Sequence, residues 1–147
     1  MNSDITSFFV YGTLRPDDDS GATWKKDFLD GSTYHKAVLR DAKLFFDEYP
    51  CAVLNCRGSS VIGYVVTFPA QDFPAKLREG DRIEACPSEY QRDAVEVELM
   101  DGDRPCRAYV YHRKSCKRDQ AIESGDWLNR GKVQLKPNLY AEETPCL

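Results

Sequence analysis

Phe8-Phe9-Val10-Tyr11-Gly12-Thr13-Leu14 sets the frame for the rest of the chain. The apolar run from Ser7 to Val10 is too short for a helix of its own and reads as a buried strand. It ends at Tyr11-Gly12-Thr13-Leu14, followed by the polar loop Arg15-Pro16-Asp17-Asp18-Asp19-Ser20-Gly21. Glycine directly after a strand lets the backbone approach another group closely and adopt angles that other residues avoid. Successive N–H groups in such a turn can form a nest for an anion or a carboxylate. An ordinary strand-to-loop turn is the competing reading, and residue types alone do not separate the two.

Outward from this segment, a short helix is expected from about Ala22 to Leu29. Strands are expected at Lys36 to Phe46, Ala52 to Asn55 and Val61 to Phe68, where β-branched and aromatic residues concentrate. Gln71 to Ala85 reads as a helix, with Asp72 as a cap and Pro74 in the first turn, where its missing N–H costs nothing. Pro87 stops it, because the residue before a proline is pushed out of helical geometry. Val95, Val97 and Leu99 alternate with Glu96 and Glu98 as a half-buried strand, and Asp101-Gly102 signals a turn. Arg107 to Arg113 supplies the returning strand. The last thirty or so residues carry few apolar positions and are expected to wrap the surface as loops. Mixed strands with few helices give a compact α+β fold, a mixed β-barrel or sheet with a few short helices.

The 147 residues suit one domain over the whole chain, loop-rich from about Cys116. Apolar residues make up 41% and charged residues 30%, which excludes a disordered or membranous chain. The formal charge is -4 and basic residues are scattered among acids, so no phosphate-collecting stripe points to nucleic acid. Met1-Asn2-Ser3-Asp4 lacks the basic start of an export signal, and no stretch approaches the roughly 20 apolar residues of a membrane span. Six cysteines without an export signal read as reduced thiols, and the expected compartment is cytoplasmic. No CxxC pair occurs and neither His35 nor His112 lies beside a cysteine at zinc-ligand spacing, so no metal is expected.

A single carboxylate stands out. At about 100° per residue, Phe73, Leu77, Gly80 and Glu84 fall within a stripe roughly 60° wide on the proposed helix. Phe73 and Leu77 must face the core, so Glu84 points inward while Lys76, Arg78 and Glu79 point mostly away. Burial disfavours the charged form and tunes a carboxyl group for proton transfer near neutral pH. The competing reading is a helix-end carboxylate paired with Arg82 or Arg92. No GxSxG, HExxH, GxxxxGK[ST] or GxGxxG motif is present. Cys86 with His112 is conceivable as a nucleophile pair, but a buried thiol is commoner, and both histidines are expected on strand surfaces.

Phe9-Val10-Tyr11-Gly12-Thr13-Leu14 resembles the N-terminal signature of the γ-glutamylcyclotransferase-like superfamily. Asp81-Arg82-Ile83-Glu84, followed by Tyr90 and Arg92, resembles its second. The run Glu84-Ala85-Cys86-Pro87-Ser88-Glu89-Tyr90-Gln91-Arg92 is similar to the γ-glutamylaminecyclotransferase branch. Tyr49-Pro50, Gly63-Tyr64 and Ala108-Tyr109-Val110-Tyr111 match weaker positions, so the likeness spans roughly residues 8 to 113. Ala85 departs from the glycine of many members, and the segment from Cys116 has no counterpart.

The resemblance implies that Glu84 is the catalytic acid/base and that Tyr11, Gly12, Thr13 and Leu14 hold the substrate through backbone groups. It also implies intramolecular cyclisation of a γ-glutamyl amine, typically γ-glutamyl-ε-lysine, to 5-oxoproline and free amine. Such a reaction needs no cofactor and no protein nucleophile. Tyr90 and Tyr111 stay outside the catalytic set, since aromatic residues on strands are more often core. The expected partner is a small γ-glutamyl molecule, with neither nucleic acid nor membrane, acted on by a monomer. Two alternatives stay open: γ-glutamyl amino acids or glutathione as substrate, or a non-catalytic binding or stress-response member of the same fold.

Overall fold

The computed structural model describes residues 5–18, 23–47, 49–101, 104–114, 116–117, 121–129 and 143–144. Strand β1 (Ser7–Val10) is buried at every position, which is why Phe8, Phe9 and Val10 are apolar in succession rather than alternating. Phe8 and Val10 pack on one side and Phe9 on the other, each side with its own hydrophobic cluster.

Helix α1 (Thr23–Leu29) follows, then β2 (Thr33–Arg40), β3 (Ala42–Asp47), β4 (Tyr49–Leu54), β5 (Ser60–Thr67), helix α2 (Phe73–Ile83), β6 (Gln91–Leu99) and β7 (Pro105–His112). Five strands close a barrel in the order β1-β5-β2-β6-β7. β1 runs antiparallel to β5, and Phe8 pairs with Tyr109 of β7 in parallel to complete the ring. One hydrophobic cluster draws Phe9, Ala37, Val65, Val97 and Val110 from the five barrel strands and fills the interior. The other joins Phe8 to Phe28 of α1 and Phe73 of α2, laying the helices against the outside of β1. The expected mixed barrel with few helices is the observed fold.

The expected strand Lys36 to Phe46 is two strands in different sheets. Asp41 takes φ 58° between them, a left-handed corner that aspartate tolerates better than most residues. Asp41 and Ala42 both donate their N–H to Ser59 O, at 2.8 and 3.3 Å. Beyond the corner, β3 and β4 form a separate two-stranded hairpin beside the barrel. The β6–β7 hairpin forms as expected, although Gly102 of its turn signal lies outside the described residues.

Only parts of the C-terminal segment fall within the described residues: the two-residue strands β8 (Cys116–Lys117) and β9 (Glu143–Thr144), which pair, and residues 121–129. The expectation of surface loops fails for the last of these. Ile122 and Trp127 are buried in the core, and Ile62 donates to Gly125 O at 2.7 Å.

Two further expectations are corrected. His112 is 6% exposed, its Nε2 2.7 Å from Asp93 Oδ2, whereas His35 is exposed as expected. Cys51 and Cys56 are disulfide-bonded, and only Cys86 and Cys106 are free thiols among the described cysteines. Cys51 and Cys56 are also buried in the core, a placement that spacing along the chain does not reveal.

Candidate functional site

Helix α2 carries the central carboxylate to its place. Asp72 occupies the N-cap position without a side-chain capping bond, and Pro74 sits in the first turn. Phe73 and Gly80 are buried, and Leu77 and Ile83 pack against the helix-side core. The inward stripe is therefore real. Lys76, expected to point away, instead donates to Asp27 O and Phe28 O at 2.9 and 2.7 Å and binds α2 to α1.

The helix ends at Ile83, two residues earlier than the spacing suggests. Ala85 takes φ 53°, its N–H bonds Arg82 O at 3.2 Å, and the Cys86 N–H bonds Asp81 O at 2.8 Å. That pair of bonds is a Schellman stop with the left-handed residue just past the cap. It explains why glycine suits this position, and Ala85 carries a steric cost there. Glu84 is thus the C-cap residue itself.

Glu84 is half-buried and faces a cavity of about 380 Å³ that the Tyr11–Leu14 loop also lines. No cation lies within ion-pair distance of it among the described residues; Arg92 Nη1 pairs with Asp81 instead. Burial pushes the Glu84 carboxyl up to about 7. The competing reading, a carboxylate paired with Arg82 or Arg92, finds no such ion pair among the described residues.

Across the cavity, the loop is held from several sides. The Tyr11 hydroxyl donates to Tyr111 O at 2.6 Å and accepts from the Ala52 N–H at 3.1 Å. Arg15 N–H donates to Gly12 O at 2.9 Å, closing the turn. A methyl group at Gly12 would overlap the Pro50 ring, so this glycine permits close approach of β4. The N–H groups of Gly12, Thr13 and Leu14 have no acceptor among the described residues. They can serve an anionic group in the cavity.

Arg15 is 1% exposed and donates to Asp17 and to Asp126, the latter at 2.7 Å. Trp127 Nε1–H donates to Asp18 Oδ1 at 3.2 Å. Residues 125–127 therefore brace the loop from behind.

Several wall residues were not expected as site residues. Tyr90 and Tyr111, set aside as core, are buried and also line the cavity. Tyr90 donates to Pro50 O at 2.7 Å, and Tyr111 to Asp81 Oδ1 at 2.7 Å. Gly80 lets the Tyr111 ring pass over α2, where a methyl group would meet its hydroxyl. Trp24, Pro50, Ile83 and Glu89 also line the cavity. Trp24 lies on a short helix with no periodic signal, and Glu89 on a non-repetitive turn, so neither was legible. Cys86 and His112 form no nucleophile pair: His112 binds Asp93, while burial and then Asp81 push the Cys86 thiol up, the reverse of activation.

The sequence profile described as gamma-glutamyl cyclotransferase, AIG2-like, matches residues 8–129, extending the likeness past residue 113. Comparison with curated protein sequences finds no match. Among solved structures, an uncharacterized Pyrococcus horikoshii protein shares the fold at TM-score 0.58 and 24% identity, covering 83% of this chain and 89% of that one. An AIG2-like protein from Mus musculus aligns at TM-score 0.57 and 25% identity, covering 76% and 78%. An Arabidopsis thaliana protein aligns at TM-score 0.56 and 29% identity, covering 76% of this chain and 65% of that chain. With the profile spanning most of its length, the chain belongs to the gamma-glutamyl cyclotransferase, AIG2-like family.

Proposed function

We propose that this protein converts γ-glutamyl amines to 5-oxoproline and free amine, with Glu84 as the acid/base. Family membership supports cyclotransferase-like activity. The observation that carries the finer reading is a half-buried carboxyl near neutrality, without an ion-pair partner among the described residues, lining one cavity with a loop whose N–H groups have no acceptor among those residues.

In this reaction the substrate's own α-amine attacks its γ-carbonyl carbon. The new C–N bond closes a five-membered ring, and the amide C–N bond to the leaving amine breaks. Attack within one oriented molecule reaches effective molarities of about 10⁵–10⁸ M, so no protein nucleophile is called for. The protein must bend the substrate, move one proton and exclude competing water. Glu84 as carboxylate takes the proton from the α-amine and, as acid, delivers it to the departing nitrogen. A carboxyl group near 7 populates both forms at neutral pH, which suits a group serving as both base and acid. The loop N–H groups grip the glutamyl carboxylate, and the Tyr90 and Tyr111 rings fill the wall behind it.

The test offers purified protein a panel of γ-glutamyl amines, γ-glutamyl amino acids and glutathione, and measures 5-oxoproline. Turnover that disappears in Glu84→Gln with the fold intact is the expected result. Activity surviving that change removes Glu84 from its role, and silence on every substrate favours a binding member of the fold. A monomer acting on a free small molecule, without nucleic acid or membrane, belongs to the same proposal, and size-exclusion chromatography checks its oligomeric part. No helix among the described residues is long and apolar enough to cross a membrane. The cytosol is the proposed compartment; the disulfide bonding of Cys51 and Cys56 favours an oxidising one instead. Localising the native protein in its own cells decides between them.

A further inference from the structure

We infer that Lys25 and Lys76 are positioning residues for the proton-transfer site: their ammonium groups tie α1 to the segment after the Tyr11–Leu14 loop and to α2, and so hold Trp24 in the wall of the cavity that Glu84 lines. This rests on the cyclotransferase reading and deepens it.

Helix α1 has seven residues, well below the roughly 12–15 that hold together alone in water, so it takes its position from tertiary contacts. Phe28 supplies one. It is fully buried, with the Phe8 and Phe68 ring centroids 5.6 and 5.8 Å from its own. Trp24 lies four residues earlier on the same helix face, is 42% exposed and lines the cavity. Apolar packing is non-directional, so the Phe28 anchor alone leaves the rotation of so short a helix poorly defined. Hydrogen bonds at two further points define it.

Lys25 makes the first. Its Nζ donates to Asp18 O and to Arg15 O, the latter at 3.2 Å, and lies 3.4 Å from Asp18 Oδ2. Trp127 Nε1–H donates to the other oxygen of that carboxylate, so Asp18 links α1 to the brace behind the loop. Lys76 makes the second. Its Nζ donates to Asp27 O and Phe28 O at 2.9 and 2.7 Å, in the last turn of α1, whose carbonyls have no partner within the helix. It also stands 5.4 and 5.2 Å from the Phe28 and Phe68 centroids, and a cation at a helix C-terminus complements the dipole.

What Trp24 protects is the environment of Glu84. Burial is the cause that raises the proton affinity of this carboxyl. The other titratable groups lining its cavity are Tyr11, Glu89, Tyr90 and Tyr111, none of them a cation, and Arg92 is engaged by Asp81. Withdrawal of the indole from the wall admits water, which favours the charged form of Glu84.

The test follows the Glu84 carboxyl by carbon-13 NMR in glutamate-labelled protein, its signal assigned by its loss in Glu84→Gln. The acidic limb of kcat/KM for 5-oxoproline release is measured beside it. Lys25→Met and Lys76→Met keep an apolar stem and remove the charge. Trp24→Ala removes the wall and leaves both ties in place. In all three, the Glu84 midpoint should fall from about 7 toward 4.5, and the acidic limb should move with it. Lys76→Arg, whose guanidinium has donors for both carbonyls, should restore the midpoint. A lysine variant that is folded by circular dichroism, less stable, and still titrates at about 7 has lost packing alone and overturns the inference. An unmoved midpoint in Trp24→Ala overturns it too, and this partly exposed position serves even where a lysine variant does not fold. The NMR midpoint needs no turnover. Absence of 5-oxoproline from every γ-glutamyl substrate therefore overturns the cyclotransferase reading, while the midpoints still decide the positioning.

Discussion

Tyr111 donates its hydroxyl hydrogen to Asp81 Oδ1 at 2.7 Å, and this single bond joins barrel strand β7 to the helix that ends on Glu84. The same carboxylate pairs with Arg92 of β6, so Asp81 fastens α2 to two adjacent strands. Glu84 follows three residues later. Its position relative to the cavity is therefore set by the barrel through Asp81.

Tyr111→Phe keeps the ring and removes the donor. Asp81 retains Arg92, so the loss should fall near the low end for a bond to a charged group, about 1–2 kcal/mol in urea denaturation. kcat should fall several-fold more than KM changes, because the helix end moves rather than the substrate grip. Unchanged stability and kcat would show that the hydroxyl fastens nothing.

Glu84 itself should cost the fold stability at neutral pH and above. Its folded-state proton affinity is raised by burial from 4.5 to about 7, so below the lower value both states are protonated and nothing is lost. Between the two, the unfolded chain ionises first, and stability falls as pH rises. Above about 7 the full cost applies, on the order of 3 kcal/mol. Glu84→Gln should accordingly be inactive yet more stable than the unaltered protein at pH 8, with the gap closing near pH 4. The same affinity predicts that kcat/KM rises with pH through about 7, as the free enzyme acquires its base. An acidic limb near 4.5 would place Glu84 in water.

Asp126→Ala should act at a distance from the substrate. It leaves the buried Arg15 with Asp17 alone, and breaking one partner of a buried ion pair costs about 3–5 kcal/mol. Asp126 is partly exposed, so the lower end is expected. Because Arg15 directly follows the Tyr11–Leu14 loop, KM should rise more than kcat falls. Equal stability and KM would show that residues 125–127 do not brace the loop.

Much of this was legible because it obeys short-range periodicity. β1, the β6–β7 hairpin and the inward face of α2 follow from alternation and helical spacing, and Glu84 follows from that face. What escaped depends on contacts distant in sequence. The corner at Asp41 is one backbone angle that splits an apparently continuous run, stabilised by Ser59. Burial of His112 depends on the core around β7, and that of Trp127 on docking of the C-terminal segment. Trp24 and Glu89 reach the cavity because the start of α1 and the turn after α2 both come to it, and nothing periodic announces either. The resemblance named candidate site residues, and the fold brings them to one cavity.

The position of Glu84 at the carbonyl end of α2 has a consequence for how its chemistry can vary. Aligned peptide dipoles place partial negative charge at a helix C-terminus, which disfavours a neighbouring anion within the last turn. Added to burial, this makes proton retention partly a property of the main chain and not of any one neighbour that a mutation could delete. With Glu84 as the proposed acid/base, residues lining the cavity can then be exchanged while its proton affinity is kept.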